Sequence, residues 1–488
     1  MMTKSLAIDL GASNGRVILG EYDGVNLNMS VIHRFNNGPV ERDGFLVWDI
    51  EFLFQQVIEG IQLAVSDHQI DSIAVNTWGV DYGLLNHEGE LLHSPRNYRD
   101  SRMAPIFNER KETFKSLYEQ TGNQVMGINT FFQILADLSL DSELKDKADR
   151  LLLMPDLFNY LLTGKKYAER SIASTTQLYD PKKREWHYSL MEENNIPVHL
   201  FPQLVDEGHQ VGFLKEDFGL GNIPVINVCS HDTASAVVSI PSTTEFLFIS
   251  CGTWSLIGTE LKEPVMTDKS YGYNLTNESG IDKSTRFLKN LTGLWIIQEV
   301  KKEFEELGKN YSYGDFEALI EPTEQFKTLI DTEHAMFSTP GNMIEKIQIF
   351  ATQTNQEVPR TDGEIVRCVY ESLTYRYRHT FLEITDTLRK DFDSVYIIGG
   401  GSQSALLCQM IADASKVTLY SGPVEATALG NLLTQFMALD KIESVSEARR
   451  LVTKTQEIQK YYPDLIETDE WENNFWRYAD ILNKEIKI

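Results

Sequence analysis

An apolar run ends at Ser230-His231-Asp232-Thr233, and small residues able to carry a helix follow it. The Ser230 hydroxyl is placed to cap that helix, which sets Asp232 at its positive end, where an ionised carboxylate is favoured. A little further on, Phe246–Ser250 reads as a buried strand and Cys251-Gly252-Thr253 as a tight turn before Leu256-Ile257. Backbone amides in such a turn form a concave nest for phosphate oxygens. A carboxylate and a phosphate cradle beside each other point to phosphoryl transfer. Taken alone, Asp232 fits a helix-cap role at least as well as a general base.

The elements that must position these groups follow from periodicity and turn residues. Ser5–Asp9 is a short apolar strand, followed by the glycine turn Gly11-Ala12-Ser13-Asn14-Gly15-Arg16. Val17–Glu21 and Leu27–Phe35 continue as strands about a turn at Asp23-Gly24. Asp49 caps a helix whose apolar residues Ile50, Leu53, Val57, Ile61 and Ala64 recur at helical spacing. Ser72–Val75 then joins as a parallel strand and ends in Asn76-Thr77-Trp78-Gly79-Val80-Asp81. Three antiparallel strands, a helix and a parallel strand open a ribonuclease-H-like α/β domain.

The Leu6–Gly11 stretch and the Leu247–Gly252 stretch share an apolar strand, a glycine and small residues, about half the chain apart. The expectation is two such domains, 1–240 and 241–488, with Pro241-Ser-Thr-Thr as the boundary. They would face each other across an active-site cleft, their turns holding one nucleotide from opposite sides. Between the two turns, Leu151–Leu162 reads as helical and stops at Thr163-Gly164, where glycine suits a left-handed cap. Ser171–Gln177 reads as a turn facing a pocket or solvent. Later, Glu364–Leu388 is a long helical pattern. The strand Ser394–Ile398 ends in Gly399-Gly400-Gly401-Ser402, where bare backbone lets a ligand come close. The charged tail after Asp440 reads as helical and carries no evident chemistry.

With 488 residues the chain exceeds one hydrophobic core. A formal net charge of -26 argues against nucleic acid and anionic membranes as partners. An anionic substrate therefore needs a local pocket of cations, amides or metal. The four cysteines lack CxxC or zinc spacing, and MMTKSLAIDLGAS has no signal-like apolar core, so a cytoplasmic protein with reduced thiols is expected. There is no GxxxxGK[ST] loop for a nucleotide. Asp217-Phe-Gly219 imitates a protein-kinase magnesium motif without its companions and reads as a surface turn.

From Leu6 to about Asn431 these stretches resemble the FGGY carbohydrate kinases: IDLGASNGR, HRFNNG, NTWGVD, YRDSR, SHDTASAV, CGTWSLIG, LKNLTGLWIIQE, IGGGSQ and GPVEATALGN. The glycine turns alone would also fit actin, Hsp70 chaperones and hexokinases; HRFNNG, TWGVD and SHDTASAV are more specific. The resemblance implies ATP as phosphate donor, Mg2+ as its companion and a ketose or polyol as acceptor, with the sugar in the N-terminal domain and the nucleotide in the C-terminal one. It implies Asp232 as general base, and Gly79, His231, Thr233 and Asn290 beside it as sugar contacts. Ala12, Ser13, Asn14, Gly15, Arg16, Thr253, Gln298 and Gly400 match nucleotide contacts, and Asp9 the carboxylate that holds magnesium through water.

Three positions depart from the family pattern, all on the nucleotide side: Asn14 where Ser is common, Ser279 where Gly is usual, and Gln403-Ser404 where an Asn commonly follows the glycines. An ATP-gated assembly protein of the actin or Hsp70 kind is the competing class. It has no use for the sugar set Gly79, His231 and Asn290. Either a monomer or a homodimer is compatible with the sequence.

Overall fold

Leu6, Ala7, Ile8 and Leu10 are all fully buried, so this strand is covered on both of its faces. They lie in β1 (Thr3–Leu10), at the heart of a mixed sheet in the computed structural model, which describes residues 2–482. The chain divides into two compact units. Unit 1 is Met1–Thr243, Glu260–Phe287 and Glu425–Gln456; unit 2 is Thr244–Thr259, Leu288–Val424 and Glu457–Ile488. The sequence marks one boundary, near Pro241. In the structure two segments beyond that point, 260–287 and 425–456, fold with unit 1.

In unit 1, β1 pairs antiparallel with β2 (Asn14–Tyr22), which pairs antiparallel with β3 (Leu27–Asn36). On its other side β1 pairs in parallel with β4 (Ser72–Thr77). β5 (Gln210–Phe213) and β6 (Pro224–Ile226) complete the order β5-β6-β4-β1-β2-β3. Helix α1 (Ile50–Asp67) begins where Asp49 accepts from the Phe52 N–H at 3.2 Å, and buries Leu53, Val57, Ile61 and Ala64. Helix α2 (Asp232–Val238) follows β6, and α3 (Ala426–Ala438) returns from late in the chain to cover the sheet. The α3 side chains Asn431 and Gln435 donate to the carbonyls of Ala74 and Leu6 at 3.2 and 3.0 Å, so this helix is hydrogen-bonded to both central strands.

Unit 2 repeats the succession. β7 (Leu247–Cys251) pairs antiparallel with β8 (Trp254–Leu261) and in parallel with β10 (Ser394–Ile398). With β9 (Thr285–Thr292), β11 (Thr418–Ser421) and β12 (Gln459–Tyr461) the order is β9-β8-β7-β10-β11-β12, and a seventh strand, Thr276–Ser279, lies at the edge beyond β9. The two sheets share one strand plan, and Gly11 and Gly252 each follow its central strand. The Asp362–Leu388 helix opens with a capping box between Thr361 and Glu364.

Some sequence readings need correction. Within the apolar run Leu151–Leu162, the first residues form a strand, Arg150–Leu153, paired with Tyr82–Leu85; the helix starts only at Met154 and ends at Gly164, φ 76°. Of the two alternatives for Ser171–Gln177, pocket or solvent, solvent is excluded, since every residue in the stretch is buried. The tail is not all helix, because Gln459–Tyr461 adds the edge strand β12; residues 483–488 lie outside the described residues. All four cysteines are buried and free of disulfides. Among the described residues no helix is long and apolar enough to cross a membrane.

Candidate active site

Asp232 is the first residue of α2. The cap position belongs to His231, not Ser230, and makes no side-chain cap bond. Ser230 is otherwise engaged: its N–H and hydroxyl both donate to Glu169 Oε2, at 3.1 and 2.6 Å. His231 instead continues the sheet, bridging in parallel to Thr77 at the end of β4. The reactive segment thus sits at the carboxyl ends of neighbouring parallel strands, where open α/β sheets bind ligands.

Oδ1 of Asp232 accepts from the Thr233 N–H at 2.6 Å and the Thr233 hydroxyl at 3.2 Å, and faces His231 Nε2 at 3.3 Å. Among the described residues no donor engages Oδ2. The side chain keeps 34% of its exposure, yet the protein packed around it removes enough water to raise its carboxyl above the ordinary range. The His231 ring opposes that rise and the charge of Asp9 adds to it.

Asp9 lies near the end of β1, directly across from Arg16 on β2. Asn76 donates to its Oδ1 at 2.7 Å, and Arg16 pairs with its other oxygen and with Glu425 at the start of α3. Arg16 is therefore a strand residue tied to two acids rather than a free loop cation. Ala12 and Ser13 form the turn, and Asn14 is exposed at the start of β2. Gly15 has a packing reason for being glycine, since a Cβ there would lie 2.3 Å from the Phe35 ring.

Gly79 lies opposite the His231–Asp232 segment. A Cβ there would meet the Thr175 hydroxyl at 3.2 Å and His231 Nε2 at 3.3 Å. The following Val80 has φ 66°, a conformation β-branched residues rarely hold. Its N–H donates to the Thr175 hydroxyl at 3.2 Å, and its carbonyl accepts from Thr130 at 2.6 Å. Asp81 anchors the same turn. Its carboxylate accepts from Trp48 and Trp78 at 2.7 and 3.1 Å, from the Tyr98 N–H at 3.2 Å and from Gln133 at 2.8 Å. Burial pushes the Asp81 carboxyl up to about 6 against those hydrogen bonds. Trp78 is core, packed on Trp48 with ring centroids 4.1 Å apart.

Unit 1 thus gathers Asp9, Arg16, Gly79, His231, Asp232 and Thr233. Unit 2 gathers a second set by itself. The Thr253 hydroxyl donates to Gln298 at 3.3 Å. Gly399 (φ 80°) and Gly401 are forced by Cys251, whose carbonyl and sulfur would lie 2.9 and 2.3 Å from added Cβ atoms, whereas Gly400 has room. Asn290 is half-buried on β9.

Sequence reasoning missed Glu278 and Arg286. The Arg286 side chain is fully buried, and its Nη2 lies 3.1 Å from His231 Nδ1 and 3.0 Å from Glu278 Oε2. Burial, the largest single influence, would raise the Glu278 carboxyl; the Arg286 charge and the His231 ring together outweigh it and hold it below the usual range. The one visible signal was an arginine inside the apolar stretch Thr285–Leu288.

A repeated mixed sheet with glycine turns and a strand-end carboxylate defines a class. Family models for the N-terminal and C-terminal domains of the FGGY family of carbohydrate kinases match residues 4–239 and 247–439. The chain belongs to that family and is an ATP-dependent sugar kinase. Among its relatives, a rhamnulokinase of Oceanobacillus iheyensis is 37% identical over 94% of this chain and 98% of its own length. A rhamnulokinase of Ligilactobacillus salivarius is 36% identical over 99% of this chain and 100% of its own. The fold is shared with a gluconate kinase from Lactobacillus acidophilus (TM-score 0.81, 15% identity, 99% of this chain and 98% of that one). A Plasmodium falciparum glycerol kinase with ADP also matches (TM-score 0.78, 15% identity, 100% of this chain and 99% of that one).

Proposed function

We propose that this kinase transfers the γ-phosphoryl group of ATP to L-rhamnulose, giving L-rhamnulose 1-phosphate and ADP, with Asp232 as general base. The observation that supports it most directly is the state of the Asp232 carboxylate. One oxygen is held by Thr233 and faces His231, while Oδ2 remains available to take the hydroxyl proton. The substrate follows from relatives alike over nearly their whole length, which carry the name rhamnulokinase. L-fuculose and xylulose are the competing acceptors.

The sugar belongs with unit 1. Gly79 keeps the space beside His231 free of a side chain, and Thr233 fixes the Asp232 carboxylate. In unit 1 the amides of Ala12, Ser13, Asn14 and Gly15 offer donors to phosphate oxygens; in unit 2 the Thr253 turn, Gln298 and Gly400 form a separate set of nucleotide contacts. Arg16 already holds two carboxylates, and phosphate binding would exchange one anion for another. Phosphoryl transfer needs alignment and charge neutralisation more than covalent help, which is what these groups offer. Because the reaction consumes ATP, the enzyme belongs in the cytoplasm.

The acid pair fits magnesium. Burial raises the Asp232 carboxyl and the charge of Asp9 adds to that rise, a field that a divalent cation would relieve. Among the described residues no cluster of three or more acid, His or Cys groups forms a cage. A magnesium ion bound mainly through water and phosphate needs none. When bound, it would be held by Asp9 through water and would neutralise phosphate charge.

Phosphorylation of a panel of ketoses and polyols, set against ATP turnover without sugar, tests the proposal. L-rhamnulose should give the highest kcat/KM. Faster turnover of L-fuculose or xylulose would move the assignment, and sugar-independent hydrolysis would remove it.

A further inference from the structure

We infer that Arg286 sets the tautomer of His231, so that the ring presents Nε2–H to Asp232 and leaves Oδ2 as the basic oxygen. This rests on Asp232 being the base. The guanidinium has donors and no acceptor. Its Nη2 donates to His231 Nδ1 at 3.1 Å, so Nδ1 offers its lone pair and the ring proton resides on Nε2. The bond at one ring nitrogen decides what the other presents. Here Nε2 lies 3.3 Å from Asp232 Oδ1, close enough for its partial charge to be felt by the carboxylate. Arg286 is itself aimed by its Nε–H, which donates to the Ser279 carbonyl at 3.1 Å.

Glu278 makes this choice consequential. Its Oε2 lies 3.4 Å from the same Nδ1 and makes no well-aligned hydrogen bond among the described residues. Without Arg286, Glu278 is the acceptor left beside Nδ1, and it would draw the ring proton there. Nε2 would then turn a lone pair toward the Asp232 carboxylate, a repulsive contact where an attractive one stood. Arg286 touches neither sugar nor nucleotide in this scheme; it is a positioning residue that acts through His231.

The decisive measurement reads the unaltered network, with a variant used only for assignment. In protein labelled with 15N-histidine, the His231 ring signals, assigned by their loss in His231→Gln, should be those of a neutral ring protonated at Nε2. A ring protonated at Nδ1, or at both nitrogens, overturns the inference. Arg286→Met should move the proton to Nδ1 and lower kcat on the order of 10–100-fold, the usual effect of losing a histidine's orienting partner. KM for ATP should be unchanged. Arg286→Lys, which keeps a donor, should retain the Nε2–H signals and part of the turnover. Adding Glu278→Met to Arg286→Met removes the competing acceptor and should recover turnover; a double variant no better than the single one counts against the scheme. If Asp232 were not the base, Asp232→Asn would keep its turnover while the ring signals stayed as inferred, so the two failures are distinguishable.

Discussion

Gly430→Ala tests how α3 and α2 together place the base. A Cβ at Gly430 would lie 1.7 Å from the Ser235 carbonyl oxygen and 2.6 Å from its carbon. The obstacle is backbone, so no side-chain rotation relieves it. An ordinary contact begins near 3.4 Å, so the helices must part by about 1.7 Å along this line. The Ser235 hydroxyl also donates to the Thr427 carbonyl at 3.1 Å, a bond that such a shift breaks. Overpacking typically costs about 1–3 kcal/mol, and a rigid obstacle belongs at the upper end. Alanine's helix preference returns about 1 kcal/mol, leaving a net loss of about 2 kcal/mol. At a urea slope of about 2 kcal/mol/M, the midpoint should fall by about 1 M. Ser235 lies one turn from Asp232, so the carboxylate should move by about an ångström, a misplacement that lowers kcat on the order of 100-fold. Urea unfolding and steady-state kinetics read both effects. Gly272→Ala, with open space around its Cβ, is the control that should change neither. Wild-type midpoint and turnover in Gly430→Ala would refute the reasoning.

Asp232→Asn keeps size and an acceptor oxygen but loses the base; turnover should fall by about 10²–10⁴-fold, while the sugar Kd measured by calorimetry shifts less than about tenfold. Gly79→Arg should fill the space beside Thr175 and His231 and abolish sugar binding while ADP binding, followed the same way, stays near wild type. The Asp81 carboxyl is raised to about 6 from 3.8, so its neutral form suits the folded state. Its stabilising contribution is complete below about pH 4 and is lost as pH rises through about 6, on the order of 3 kcal/mol. Urea midpoints from pH 4 to 7 should therefore decline more steeply in the wild type than in Asp81→Asn, and parallel profiles would remove Asp81 as the cause.

What was legible in the sequence was local. Asp49 announces α1 because its carboxylate reaches the Phe52 N–H within the same turn. The glycine turns and the parallel strand Ser72–Thr77 follow from similar short-range signals. The Ser230 cap was plausible on the same grounds and failed for a distant reason, since Glu169 claims that hydroxyl. The Arg150–Leu153 strand was hidden in an apolar run, where periodicity cannot separate a buried strand from a helix. Glu278 and Arg286 meet His231 only through the fold. Gly401 looked like a ligand-facing glycine and turns out to be pressed against the Cys251 sulfur.

The return of 425–456 to unit 1 bears on how the protein is made. Until α3 emerges from the ribosome, the sheet face beside Ala7 and Ile18 lacks Leu429, Leu432 and Leu433, with which it shares a core. The nascent strands β1 and β4 also lack the Gln435 and Asn431 amides that donate to their carbonyls. Translation from Thr243 to Ala438 takes roughly 10–40 s at about 5–20 residues per second. For that interval the apolar face that α3 covers in the finished fold lacks its partner side chains. The first 240 residues, which the sequence presents as a self-contained half, cannot close their own core before the second half has been synthesised.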